Sequence, residues 1–285
     1  MNRVSKKALL LSLMAITQSA FIIAEPIIDV VIPCHEKDAR TLDLVVDGIR
    51  HNGQGVRRVI VVSAKRLTQK AEWFDEALFP FSKNAIAVAI FKGDEDQAKK
   101  YISDSRNRLG WIYQQLLKLY APFVIPNISS NVLILDSDTI FLNKVSFIDA
   151  QGNALFNVGH QYHKPYFEHM NLLIPGLKRV FRDYSGICHH MLFQKYILED
   201  LFHDIEICHG KDAWEVLAET IDPKDLFHSA LSEYEIYFNY VFSRTYKAKI
   251  RTLNWREFGF NHNAIAECKK HGCDYVSCHS YMRGE

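Results

Sequence analysis

The run LDSDTIF places two carboxylates, Asp136 and Asp138, one residue apart, directly after the four apolar residues 132–135. Burying ionised carboxylates beside a core strand is costly unless a partner neutralises them, and a divalent cation does this through oxygen ligands. A turn at the strand end would let both carboxylates converge on one ion. Mg²⁺ or Mn²⁺ held there also contacts substrate phosphates and neutralises charge developing on a departing diphosphate. The plainer alternative is a loop pair acting as turn formers or caps, positions that Asp favours. An apolar strand within an alternating α/β order favours the metal reading.

The elements that would position this pair follow from periodicity. IIDVVIP at 27–33 is an apolar, β-branched run closed by Pro33 and predicts a buried first strand. DARTLDLVVDGIRHN sets Leu42, Val45, Val46 and Ile49 at helical spacing and stops near Gly53. Residues 59–63 predict a second strand, and AIAVAIFKG predicts a third at about 86–91, closed by Gly93. RLGWIYQQLLKLYAPFVIP predicts a helix with Ile112, Leu116 and Leu119 on one face and Pro122 just past its end. It leads into the strand that carries the two carboxylates. Further on, SGICHHMLFQKYILEDLF predicts a strand entering a helix, and LSEYEIYFNYVFSRTY an amphipathic helix.

This alternation predicts an α/β, Rossmann-like fold, a mostly parallel central sheet flanked by helices in one continuous domain. Open sheets of that kind bind ligands beyond the carboxyl ends of their strands, where the acidic pair falls.

The chain has 285 residues, 48% of them hydrophobic, enough for a sizeable core. Its 34 Lys and Arg against 33 Asp and Glu generate no global field toward nucleic acid, which is not expected as a partner. Arg3, Lys6 and Lys7 precede an uncharged run at 8–24, the layout of a signal peptide, with an uncleaved signal anchor or a buried segment as alternatives. Segment 1–24 is therefore set apart from a domain at 25–285. Export or membrane anchoring is expected if the segment is a functional signal, and a cytoplasmic location if it is not. Cys34, Cys188, Cys208, Cys268, Cys273 and Cys278 make disulfides possible, most locally within CKKHGCDYVSC. The four-residue gaps there depart from the tight C-x2-C spacing of structural zinc sites. No P-loop, G-x-S-x-G elbow or H-E-x-x-H is present.

Together DVVIPCHEKD, GWIYQQLLKLY, LILDSDTIFL, SGICHHMLF, SEYEIYFNY and the terminal CHSY resemble a bacterial family of GT-A-fold glycosyltransferase-like proteins, largely described only as a domain of unknown function. The resemblance covers nearly all of the chain after residue 24. It implies a GT-A fold, a nucleotide-diphosphate sugar as donor, Mn²⁺ or Mg²⁺ at Asp136 and Asp138, and transfer to a glycan or other hydroxyl acceptor. Residues 25–143 would form the donor half and 144–285 the acceptor half.

In that reading Pro33, His35 and Lys37 pass the nucleotide, although His35 could simply cap the next helix. Ser63 and Lys65 are weaker candidates. Trp111, Gln114 and Lys118 share a helix face and, with Asp136 and Ser137, would face the donor. An amide suits sugar hydroxyls and an ammonium suits phosphate, while a solvated face with Trp111 in the core is the alternative. Glu233 and Glu235 are candidates for the general base of an inverting transfer. Being two apart on a helix they point about 200° away from each other, so at most one faces a cleft. Ser232 resembles an N-cap, and either glutamate could serve the helix dipole alone. His189 and His190 are expected on the acceptor side, one core-facing and one cleft-facing. His279 is expected as a further metal ligand. A metal-dependent nucleotidyltransferase or phosphohydrolase, and a non-catalytic carbohydrate-binding protein, are the competing functions.

Overall fold

The computed structural model describes residues 27–279, so the segment at 1–24 lies outside the described residues. Among those described, no helix is long and apolar enough to cross a membrane. The first strand, β1 (Ile28–Pro33), is buried along its whole length. It tolerates a charge because Asp29 accepts from Arg57 Nε at 2.9 Å and from the Ser129 backbone N–H at 2.8 Å. Helix α1 (Leu42–Asn52) buries Leu42, Val45, Val46 and Ile49, the stripe its spacing predicts. Next come β2 (Val56–Ser63) and β3 (Glu72–Asp75), then α2 (Lys83–Ile90), α3 (Glu95–Ser103) and α4 (Leu109–Val124).

After α4 follow β4 (Asn131–Leu135), β5 (Thr139–Phe141), β6 (Ala154–Phe156) and α5 (Lys164–Leu173). Strand β7 (His190–Gln194) leads into α6 (Lys195–His209), α7 (Ala213–Glu219) and α8 (Glu233–Arg244). The chain closes with β8 (Ala248–Ile250), β9 (Trp255–Glu257), α9 (His262–Lys270) and β10 (Tyr275–Ser277).

The central sheet runs β3-β2-β1-β4-β7. Its first four strands are parallel, and β7 joins antiparallel to β4. The fold is therefore mixed α/β with a mostly parallel sheet flanked by helices, in a single domain. Since β7 comes from the second half of the chain, the proposed halves share one sheet. The chain builds outward from β1 through β2 to β3 and then returns to β4 on the other side of β1. The crevice at the carboxyl ends of β1 and β4 is thus the topological switch point, where such sheets bind ligands.

Three expectations need correction. AIAVAIFKG is helix α2, not a strand; the third strand is Glu72–Asp75. A short apolar run does not distinguish the two states by itself, and here the Ser82 side chain accepts from Ala85 N–H and starts a helix. Pro122 lies inside α4, in its last turn, where loss of one N–H is tolerated. Helix α8 is not amphipathic, because every residue from Glu233 to Val241 is buried.

Two small sheets complete the fold. In one, β10 pairs antiparallel with β5 and parallel with β9; in the other, β6 pairs with β8. Cys34, Cys188, Cys208, Cys268 and Cys273 form no disulfide; Cys208 is exposed, and the other four are buried, as is Cys278.

Candidate functional site

Strand β4 ends at Leu135, and the chain turns at once: Thr139 N–H donates to Asp136 O at 3.1 Å. The turn separates β4 from β5, so the apolar residues after the pair enter a different sheet. Asp136 N–H donates to His189 O at 3.0 Å, and Cys278 N–H donates to Asp138 O at 2.9 Å. Backbone bonds thereby tie the acidic turn to two distant segments.

The two carboxylates face different neighbours. Asp136 Oδ1 accepts from Lys118 Nζ at 2.6 Å and from the Tyr234 hydroxyl at 3.0 Å. Lys118 Nζ also donates to Glu233 Oε1 at 2.6 Å. Asp138 Oδ1 accepts from Ser277 Oγ at 3.1 Å, and its Oδ2 lies 3.1 Å from His279 Nδ1. His279 Nε2 is 3.0 Å from Glu257 Oε2. His189 completes the group, with Nδ1 3.6 Å from Asp136 Oδ2 and Nε2 3.7 Å from Glu257 Oε2.

Charge is partitioned by this geometry. Burial pushes the Lys118 ammonium down, but Asp136 and Glu233 outweigh it and leave the group raised and charged. Burial likewise raises Asp136, yet Lys118 and His189 hold it well below the usual carboxylate range. Glu233 goes the other way: burial raises it, Lys118 opposes that, and the Asp136 charge adds to the rise. His189 would be lowered by burial, but the facing carboxylates of Asp136 and Glu257 carry it up to about 9. Glu257 is held down to about 2, first by His189.

Two hollows open here. One, of about 260 Å³, is lined by Asp136, Ser137, Asp138, Lys118, Glu233 and His279. The other, of about 330 Å³, lies between the loop after β1 and helix α4, and is lined by Pro33, His35, Lys37 and Arg108. Asp38, Trp111 and Gln114 border both, which makes them contiguous.

The structure brings most of the predicted residues to this place. Trp111 stacks on Tyr166 with ring centres 6.3 Å apart, under the Arg108 guanidinium, at the wall of both hollows rather than sealed in the core. Gln114 donates to Pro33 O at 3.4 Å. Lys118 is buried, not part of a solvated face. His35 does cap, accepting from Lys37 N–H at 3.2 Å, while also lining the hollow of about 330 Å³. Ser63 and Lys65 border a third hollow of about 160 Å³, which shares His35 with the second and where Lys65 pairs with Glu36.

In each expected pair one residue faces away from the groove. Glu235 turns from the groove, accepting from Ser185 Oγ at 2.5 Å and Asn239 Nδ2 at 3.0 Å, because a step of two along α8 reverses its direction. His190 packs against Phe141 and Tyr275, and burial lowers it to about 3, so it is a neutral core imidazole and not a groove residue. Sequence reasoning missed Glu257 and Tyr234. Glu257 sits in NWREFGF with no motif around it, and only the parallel register that pairs it with Ser277 carries it beside His279.

The sequence family described as "Family of unknown function (DUF6492)" matches residues 28–258. The chain belongs to that family. The DUF6492 match takes in the acidic turn, His189, Glu233 and Glu257, and ends before β10 and His279. No curated protein matches this DUF6492 chain. Among solved structures, the apo form of mouse xyloside xylosyltransferase 1 is similar at 10% identity and a TM-score of 0.41, over 90% of this chain and 98% of that one.

Proposed function

We propose that this DUF6492 protein is a metal-dependent glycosyltransferase of GT-A type, moving a sugar from a nucleotide-diphosphate sugar to a glycan or other hydroxyl acceptor. One observation carries the reading: an acidic turn at the carboxyl end of β4, at the switch point of the sheet, opening on two contiguous hollows.

The residues present fit a divalent cation. Carboxylates and imidazoles crowd together, and the buried His189 Nε2 has no hydrogen-bond partner. His279 would hold Mn²⁺ or Mg²⁺ with its ring oriented by Asp138, while Asp136 is engaged by Lys118. When bound, the ion would neutralise charge on the departing diphosphate.

The chain's own residues supply the remaining steps. The hollow beside His35 and Lys37 accepts the nucleoside, with Arg108 and Lys37 offering charge to phosphate. Trp111 and Gln114, bordering both hollows, orient the sugar between them. In an inverting transfer the acceptor oxygen bonds to the anomeric carbon as its bond to the diphosphate breaks, and the hydroxyl proton passes to Glu233. Burial raises the proton affinity of Glu233, which favours its taking up that proton.

Incubation with UDP- and GDP-sugars and Mn²⁺ tests the reading. Release of sugar with nucleoside diphosphate is expected. Pyrophosphate would identify a nucleotidyltransferase, and binding without turnover a carbohydrate-binding protein. Calorimetry adds a second arm: Asp138→Asn should abolish the difference in nucleoside diphosphate affinity between Mn²⁺ and EDTA.

A further inference from the structure

We propose that the cation site is a two-imidazole, one-carboxylate centre made by His189, His279 and Glu257, and that it selects a first-row transition dication such as Mn²⁺ or Co²⁺ over Mg²⁺. The inference rests on the metal-dependent reading above and assigns the ligands and the ion class of that site.

His189 is the starting point. Its side chain is only 8% exposed, yet Nε2 makes no hydrogen bond and meets only the Glu257 carboxylate at 3.7 Å, a costly arrangement for a buried polar atom. Its backbone adopts φ of 66°, a left-handed conformation uncommon outside glycine. Strain of this kind persists only where surrounding structure imposes it, and it gathers at ligand sites. Here the Asp136 N–H bond to His189 O and the Trp255 ring, 5.2 Å from the imidazole centre, fix the residue from two sides.

The imidazole faces Glu257 Oε2 at 3.7 Å, too far for a hydrogen bond. His279 Nε2 reaches the same oxygen at 3.0 Å, and one ligand atom from each of the three residues lies within 4.8 Å of the others. Metal–ligand bonds of about 2.1 Å separate neighbouring donors by about 3.0 Å at right angles and about 3.4 Å at the tetrahedral angle. The spacings of 3.0 and 3.7 Å to Glu257 lie near these values, and with the three ligand atoms within 4.8 Å of one another, closure on one ion takes a movement of the imidazoles of about an ångström.

Asp138 enters through the other side of the His279 ring. Its Oδ2 lies 3.1 Å from Nδ1, which leaves Nε2 turned toward Glu257 and His189. A carboxylate holding the far nitrogen is the usual means of orienting a ligating histidine. Two nitrogens in the ligand set disfavour Mg²⁺, which takes oxygen ligands, and favour ions that accept imidazole.

The test uses the whole protein with MnCl₂, CoCl₂ or MgCl₂ alone. Equilibrium dialysis should give Mn²⁺ and Co²⁺ affinities at least tenfold tighter than Mg²⁺. His189→Ala and Glu257→Gln should each weaken Mn²⁺ at least tenfold with unchanged far-UV circular dichroism. A readout that needs no variant is the nitrogen modulation of the Mn²⁺ spin-echo signal, expected to report two imidazoles. Equal Mg²⁺ and Mn²⁺ affinity, no nitrogen modulation, or no binding of either transition ion would overturn the assignment. Mn²⁺-dependent nucleoside diphosphate binding that survives in His189→Ala with unaltered Mn²⁺ affinity would sink this inference and leave the transferase reading standing. Loss of metal dependence in the wild-type protein would sink both.

Discussion

Lys118 Nζ sits 2.6 Å from both Asp136 and Glu233, 4.5 Å from the centre of the Tyr234 ring and almost wholly out of water. A single buried ammonium shared by two carboxylates leaves negative charge in excess, a setting in which Glu233 can take up a proton while Asp136 stays ionised. Glu233→Gln keeps the shape and removes the base, so kcat should fall by about 10²- to 10⁴-fold with donor affinity little changed. Steady-state kinetics beside calorimetry separates the two quantities. Transfer at the wild-type rate would make Glu233 only the structural partner of Lys118. Spacing alone revealed that one of Glu233 and Glu235 would face away; which one depended on where α8 packs.

At the scale of elements, the site requires α8 to lie close against the segment before β7. Gly186 permits that approach: a Cβ there would stand 2.7 Å from Phe238 Cβ and from Tyr234 O. Gly186→Ala should therefore push α8 outward at the turn that holds Glu233 and Tyr234. Overpacking of this kind costs about 1–3 kcal/mol. Urea unfolding is the measurement, and a midpoint equal to wild type would show that the helix relaxes without strain. The same scale explains the misread AIAVAIFKG. Its side chains suit either state, and the cap at Ser82 together with burial of Ile86, Ala87 and Ile90 decided for helix.

Across the whole molecule, buried histidines link stability to pH. Burial lowers His169 to about 4, against a weaker opposing bond to Leu217 O, and lowers His190 to about 3. A folded-state value below the unfolded one of about 6.5 means that the unfolded chain binds more protons in acid. Their contribution is complete above about pH 6.5 and is lost as pH falls toward 4; for His169 alone this is about 3 kcal/mol. His189, raised to about 9, has the opposite sign: its contribution is complete below about pH 6.5 and fades as pH rises through 9. Metal-free protein should be most stable near pH 6.5. Urea midpoints taken in EDTA from pH 4 to 9 would show this, with His169→Phe flattening the acid limb and His189→Gln the alkaline limb. Unchanged slopes in both variants would refute the linkage.

By itself the sequence determined the α/β order, the buried stripe of α1, the central β4 strand and the acidic pair at its end, because periodicity and apolar runs are local properties of the chain. It also placed Trp111, Gln114 and Lys118 on one helix face, since a turn of helix is local too. What the tertiary structure decided is which distant groups meet that pair. Asp136 turned to Lys118 rather than sharing one partner with Asp138, and His189 came within 3.6 Å of Asp136. Glu257 arrived through the register of β9 on β10, and His279 through the antiparallel pairing of β10 with β5. Contacts between residues 18 to 141 positions apart depend on strand pairing and packing, which no local spacing encodes.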